Sequence, residues 1–168
     1  MIEIGEIGDH EIDAVIALWR ACGLTRPWND PGLDVADARA APNATILVGR
    51  IDTVPVASIM VGYDGHRGWV YYLAVDPARR RTGSGRRMMD AAARWLSARG
   101  ARKLQLMVRE TNGEALGFYR RLGFDRQPTV VLGRWLGDAT SGLKSTNDVA
   151  TDGTAAFPKV HGSDTSGP

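Results

Sequence analysis

"RRTGSGRRMMD", residues 80 to 90, sets two glycines two positions apart between pairs of arginines and then runs directly into a helical pattern. Met88, Ala92, Trp95 and Leu96 recur at helical spacing, and Gly100 ends the run. Immediately upstream, "GWVYYLAV" (68 to 75) is rich in β-branched and aromatic residues, so the glycines fall on a turn from strand to helix. A helix N-terminus carries N–H groups without helical acceptors and a partial positive charge, and glycine there lets an anion approach the backbone. Phosphate is the natural candidate. A nucleoside-triphosphatase loop needs G-x-x-x-x-G-K-[ST], and no glycine here is followed by that spacing. A dinucleotide fingerprint needs a third glycine where Met88 stands. Read for structure alone, Gly83 and Gly85 are a helix cap and a close helix–sheet contact, and the arginines are a solvated face.

Outward from this turn the pattern is a mixed one. "ATILVGRI" (44 to 51), "VASIMVGY" (56 to 63) and "GWVYYLAV" are joined by connections short enough to make neighbouring strands antiparallel, a three-strand meander. "KLQLMVR" (103 to 109) reads as a strand, and because a whole helix separates it from the meander it can lie parallel to the strand before. A further helix is expected over roughly 113 to 122 and a last strand over "TVVLGRWL" (129 to 136). Towards the N-terminus, Asp9 is a plausible N-cap for a helix carrying Ile12, Val15, Ile16, Trp19 and Cys22 on one face. "LTRPWNDPG" then reads as an irregular loop, with a short helix at "DVADARAA".

Composition bounds the rest. The chain has 168 residues, enough for one domain with a sizeable core. Residues 137 to 168 are dominated by Gly, Ser, Thr, Asp and Ala without apolar period, and cannot offset about 1–2 kcal/mol of backbone entropy per ordered residue. The expectation is a folded unit over 1 to 136 and a disordered tail over 137 to 168. A net charge of +2 argues against wholesale nucleic-acid binding. Cys22 is the only cysteine, which excludes an internal disulfide and a cysteine metal cluster, and no metal is expected. With neither a cationic leader nor about 20 consecutive apolar residues, the chain reads as cytoplasmic and without a membrane partner.

"RRTGSG" fits R-x-x-G-x-G and resembles the coenzyme A pyrophosphate loop of the GNAT family of N-acetyltransferases. "NGEALGFYRRLGF" (112 to 124) resembles that family's N-x-x-A-x-x-F-Y-x-x-x-G-F segment, with Asn112, Ala115, Phe118, Tyr119, Gly123 and Phe124 in place. Two independent motifs at the right separation are far more specific than either alone. "RPWNDP" and "VGYDGHRG" are also similar to the bacterial YpeA-type subgroup. The resemblance implies a mixed α/β fold, flanked by helices, whose central and mostly antiparallel sheet is splayed between its fourth and fifth strands. It implies acetyl-CoA as cosubstrate, attacked directly by an amine. The family's splayed strand carries a bulge, which would leave backbone groups of Leu73, Ala74 and Val75 for the pantetheine arm and the thioester oxygen. Arg80, Arg81, Thr82, Gly83, Ser84, Gly85 and Arg86 would hold the phosphates, with Asn112 also at the cofactor. Tyr119 would protonate the departing thiolate; its bland reading is a core aromatic.

The base is less legible. An amine is mostly charged at neutral pH and must lose a proton before it attacks. Relatives that acetylate protein N-termini often carry L-E-V-R after the loop helix, whereas this chain has "LMVR", and Met107 accepts no proton. His66, Asp64 and Asp30 have suitable chemistry and lie on loops that the fold would place around the acceptor, so with Trp28 they are the candidate substrate-binding residues; His66 is the candidate base, and a water relay is the alternative. Each is also ordinary turn or loop chemistry. The expected acceptor is an amine on a small molecule, a protein lysine or an N-terminus. Two other readings stay open, a non-catalytic acyl-CoA sensor and a nucleic-acid patch between Arg79 and Lys103. Dimers are common in the family, and the sequence leaves oligomeric state open.

Overall fold

The computed structural model describes residues 2–134 and 136. Met1–Thr129 forms one compact unit, and Val130 onward is assigned to a second. The chain runs β1 (Glu3–Glu6), α1 (Ile12–Ala21), α2 (Pro31–Ala40), β2 (Ala44–Ile51), β3 (Val54–Tyr63), β4 (Gly68–Val75), α3 (Ser84–Ser97), β5 (Leu104–Gln105) and α4 (Gly113–Arg121). Single 3-10 turns lie at Asp9–Glu11 and Pro77–Arg79. The strands form one five-stranded sheet in chain order, antiparallel except for the parallel pair β4–β5. This is the mixed α/β architecture expected, and β1 is an added edge strand.

Alternation along the strands sorts the core into two layers. Ile46, Val48 and Ala74 join Val15, Ile16, Leu18, Trp19, Val35 and Ala38 of α1 and α2 on one face. Leu47, Ile59, Val61 and Val70 meet Met88, Met89, Ala92 and Leu96 of α3 on the other. Asp9 does not cap α1; it opens the 3-10 turn and pairs with Arg39. The entry to α1 is pinned by Glu11, buried at 2% exposure, whose carboxylate accepts from Arg50 Nε at 2.5 Å and Nη2 at 2.6 Å. It also accepts from the Gly8 N–H at 2.8 Å, while Arg50 reaches the Glu6 carbonyl at 2.9 Å, so one ion pair ties β1, β2 and α1 together.

β4 and β5 pair only at Gly68↔Leu104 and Trp69↔Gln105, while β4 stays paired with β3 as far as Val75. The sheet is therefore parted between its fourth and fifth strands, as the resemblance implied. The expected strand over 129 to 136 is absent among the described residues: Val130, Val131 and Leu132 are exposed and form no ladder. The sheet ends at β5, which contributes only two residues. "KLQLMVR" is likewise cut to that dipeptide. The tail from 137 onward lies outside the described residues. Among the described residues no helix is long and apolar enough to cross a membrane, and no group of three or more metal-ligating side chains is assembled.

Removing one partner of a buried ion pair leaves the other uncompensated, so Glu11→Ala should cost about 3–5 kcal/mol in denaturant unfolding. Arg50 hydrogen bonding holds the Glu11 carboxyl below its ordinary pKa. Its folded pKa is thus the lower one, and its stabilisation is present above the usual carboxylate range and lost as pH falls through it. Wild-type stability should fall through that acid window more steeply than that of Glu11→Gln.

Candidate active site

The loop between β4 and α3 is shaped by its dihedrals. Asp76 caps the 3-10 turn through the Ala78 N–H at 3.0 Å and pairs with Arg79 at 3.7 Å. Arg81 then takes a left-handed φ of 65° and Gly83, the N-cap of α3, a φ of 85°. The first helical bond runs from the Arg87 N–H to the Gly83 carbonyl at 3.1 Å, so the N–H groups of Ser84, Gly85 and Arg86 have no helical acceptor. A Cβ built on Gly83 would meet nothing within 4 Å. The approach to these donors is open, and the positive φ suits glycine. Gly85 serves packing instead, since a Cβ there would come 3.2 Å from the Phe118 ring of α4.

Around this cradle lie Arg80, Arg81, Thr82 and Arg86, all exposed. Thr82 donates its hydroxyl proton to the Arg79 carbonyl at 2.8 Å and shares a contact of 2.9 Å with Ser84 Oγ. Arg86 makes only a long contact of 3.5 Å to the Arg121 carbonyl. On the β2 side a cavity of about 190 Å³ is lined by Arg79, Thr82, Ser84 and Arg87 together with Ile2 and Ile51. Helix-end donors, an opening that a side chain would fill and nearby guanidiniums form a set that fits a diphosphate.

β4 carries the bulge. The register slips between Ser58 and Met60 of β3, so that Tyr72 and Leu73 together oppose Ile59, and Tyr72 takes a φ of 51°. Asp76 N–H bonds the Val56 carbonyl at 2.9 Å, and alternation along the ladder turns the polar groups of Val75 and Leu73 away from β3 into the gap beside β5. Ala74, 1% exposed and paired with Ser58, stays in the sheet. The Val75 carbonyl accepts from Cys22 Sγ at 3.3 Å, which leaves its N–H as the open group.

Tyr119 lies on α4 in a cluster with Phe118 and Phe124, ring centroids 5.1 and 5.8 Å away. Burial pushes its phenol up to about 12, so it is protonated at any physiological pH. Asn112 is the N-cap of α4, its Oδ1 accepting from the Ala115 N–H at 3.1 Å, so the motif's asparagine has a structural task.

The acceptor-side candidates fare differently. Asp64 accepts from the Arg67 N–H, the His66 N–H and Trp69 Nε1, and these bonds hold its carboxyl at about 2. A carboxylate stabilised in this way is a poor proton acceptor. Its task is to shape the β3–β4 hairpin. His66 sits on that hairpin, and at about 3.3 Å per strand residue it lies roughly 20 Å along β4 from Leu73. Asp30 caps α2 by accepting from the Gly32 N–H at 2.8 Å, which occupies it at the helix start. Trp28 is half exposed in the loop before α2, beside Asn29, whose amide reaches the Tyr72 hydroxyl at 3.4 Å.

Two residues at the bulge escaped the sequence reading. The Tyr72 ring stacks on Trp19 with centroids 4.2 Å apart and planes at 11°, and its hydroxyl donates to Asp34 Oδ2 at 2.5 Å. No motif marks this pair, because the contact depends on the bulge and on α2 folding back across 38 residues of chain.

A strand-to-helix anion loop beside a parted sheet defines an acyl-CoA-dependent transferase. The chain belongs to the acetyltransferase (GNAT) family, whose model matches residues 12–124, and it is an acetyl-CoA-dependent N-acetyltransferase. It is 39% identical over 135 residues to an acetyltransferase of Yersinia pestis (strain Pestoides F), covering 80% of this chain and 96% of that protein. Its fold is similar to AAC(6')-Iy in complex with the bisubstrate analogue CoA-S-monomethyl-acetylneamine, with a TM-score of 0.70, 16% identity and coverage of 82% and 99%. It is also similar to the aminoglycoside acetyltransferase meta-AAC0020, from an uncultured soil metagenomic sample, in complex with sisomicin, with a TM-score of 0.65, 17% identity and coverage of 80% and 95%.

Gly83→Val should lose at least about 1 kcal/mol of stability to its left-handed backbone. Obstructing one charge-assisted backbone bond should weaken acetyl-CoA binding by about tenfold or more by calorimetry. Unchanged affinity would count against the cradle.

Proposed function

We propose that the chain moves the acetyl group of acetyl-CoA directly onto a primary amine of a small molecule. The observation that carries this reading is the early parting of β5 from β4, beyond which the polar groups of Leu73 and Val75 turn away from β3 next to the α3 cradle. The backbone N–H groups of Ser84, Gly85 and Arg86 hold the diphosphate, with Arg80, Arg81 and Thr82 at its edge. Leu73 and Val75 direct the pantetheine arm and donate to the thioester oxygen as charge develops there. Such a donor contributes several kcal/mol to rate, about 3–4 in measured cases. Tyr119 of α4 donates to the departing sulfur.

With its pKa near 12, Tyr119 is a weaker acid than a thiol of ordinary pKa about 8.5, so full transfer to a free thiolate is uphill by roughly 5 kcal/mol. Its contribution is therefore a strengthening hydrogen bond as the carbon–sulfur bond lengthens, with the proton crossing late. A small-molecule acceptor is favoured by two structural relatives, crystallised with an acetylneamine conjugate and with sisomicin. The departure from L-E-V-R at Met107, which is 51% exposed, speaks against the N-terminal acetylation class.

A screen of amine and peptide acceptors with free-thiol detection tests the reading. Coenzyme A release with small amines and none with peptides is expected; the reverse would overturn the acceptor class. Tyr119→Phe should bind acetyl-CoA as the wild type does and turn over about 100-fold more slowly, and full turnover would take Tyr119 out of the reaction.

A further inference from the structure

Besides the Glu11–Arg50 clamp, polar arrangements beyond the loop and α4 include the Arg79–Arg87 cavity, the Asp64 hairpin and the Tyr72–Asp34 pair. The cavity backs onto the loop already described, and the hairpin lies at the far end of β4. The third arrangement adjoins the gap. Val70 and Leu73 both pack into the α3-side core, although a regular strand would send residues three apart to opposite faces. The bulge makes this geometry, and it turns Tyr72 onto the α1 face against Trp19. Trp19 is fully buried and its Nε1 donates to buried Ser58 Oγ at 2.9 Å, so the tyrosine ring rests on a fixed platform. Tyr72 and Asp34 both remain partly exposed.

Resting on the acetyl-transfer reading, we propose that Tyr72 is a catalytic residue that takes the proton of the acceptor amine and passes its own to Asp34. The phenol oxygen has two lone pairs. One accepts from Asn29 Nδ2, the hydroxyl hydrogen goes to Asp34, and the second lone pair is open to an N–H donor. A protonated acceptor first loses one proton to solvent. As the nitrogen–carbon bond forms and the carbon–sulfur bond breaks, the nitrogen sheds another. That proton goes to Tyr72 Oη while the Tyr72 proton moves to Asp34 Oδ2 and from there to water. The thiolate takes its proton from Tyr119, which water then restores. Burial and the bond to Asp34 raise the Tyr72 phenol above its ordinary pKa, so it acts as a neutral relay. The charged groups acting on it are Asp34 on α2 and Arg26 in the preceding loop, whose guanidinium is held by the Gly23 and Thr25 carbonyls. Asp34 acts through Tyr72 and is a positioning residue and terminal acceptor; this pair supplies the base that Met107 cannot.

The test compares wild type, Tyr72→Phe, Asp34→Asn and Asp34→Glu with primary alkylamines and with hydroxylamine, a weakly basic nucleophile that sheds its proton without help. Tyr72→Phe keeps the stack on Trp19, and Asp34→Asn keeps an acceptor for the hydroxyl, so both should fold and bind acetyl-CoA as the wild type does. Expected is a fall in kcat of about 100-fold with alkylamines, less than about tenfold with hydroxylamine, and partial recovery in Asp34→Glu. Equal losses with both nucleophiles would mean a structural role and overturn the relay. Wild-type rates in Tyr72→Phe and Asp34→Asn would overturn it while leaving acetyl transfer intact. A wild-type protein that released coenzyme A with none of these amines would overturn the transfer reading and the relay together.

Discussion

The parting of β4 from β5 is the constraint on which the rest of the molecule depends. A sheet edge normally satisfies its backbone groups by pairing, and here β4 keeps β3 for its whole length but gives β5 only Gly68 and Trp69. The bulge at Tyr72 makes this tolerable. It adds a residue opposite Ile59, bends the strand and leaves polar groups of Leu73 and Val75 facing a space that a substrate arm can occupy. Without it, Tyr72 would project into the α3-side core and the contact with Asp34 would be lost.

Electrostatics act locally in this protein. A net charge of +2 says little, yet the first turn of α3 concentrates unpaired N–H donors with several guanidiniums within a few residues of sequence. At the opposite end of β4 a single carboxylate, Asp64, is fixed as an anion by three hydrogen bonds. Glu11 shows a third use of charge, the buried clamp with Arg50 that sets where α1 begins. The three carboxylates Glu11, Asp64 and Asp30 are each engaged by N–H donors, and that engagement separates structural carboxylates from ones free to exchange a proton.

Much of the architecture was legible because it rests on local chemistry. The meander, the strand-to-helix turn and both helices of the C-terminal half follow from periodicity and from Gly, Pro and Asp placement. The two motifs around Gly83 and Tyr119 led to the family through backbone requirements that neighbouring residues impose. The acceptor side was less legible. Asp64 and Asp30 carried both an acceptor-side and a turn reading, and their hydrogen bonds fill the second, at the β3–β4 hairpin and at the start of α2. The strand expected over 129 to 136 had the composition of a strand, yet its described residues form no ladder.

The amino-acid sequence by itself determined the order of elements, the left-handed glycine at the head of α3 and the family, since each depends on contacts within a dozen residues or so. Tertiary structure alone decided where β4 and β5 part, that Tyr72 points towards α1, and that Asp34 meets it. Those facts depend on a one-residue slip in strand register and on packing between segments far apart in the chain, and a register slip leaves no signature in local propensity because both alternatives bury comparable side chains.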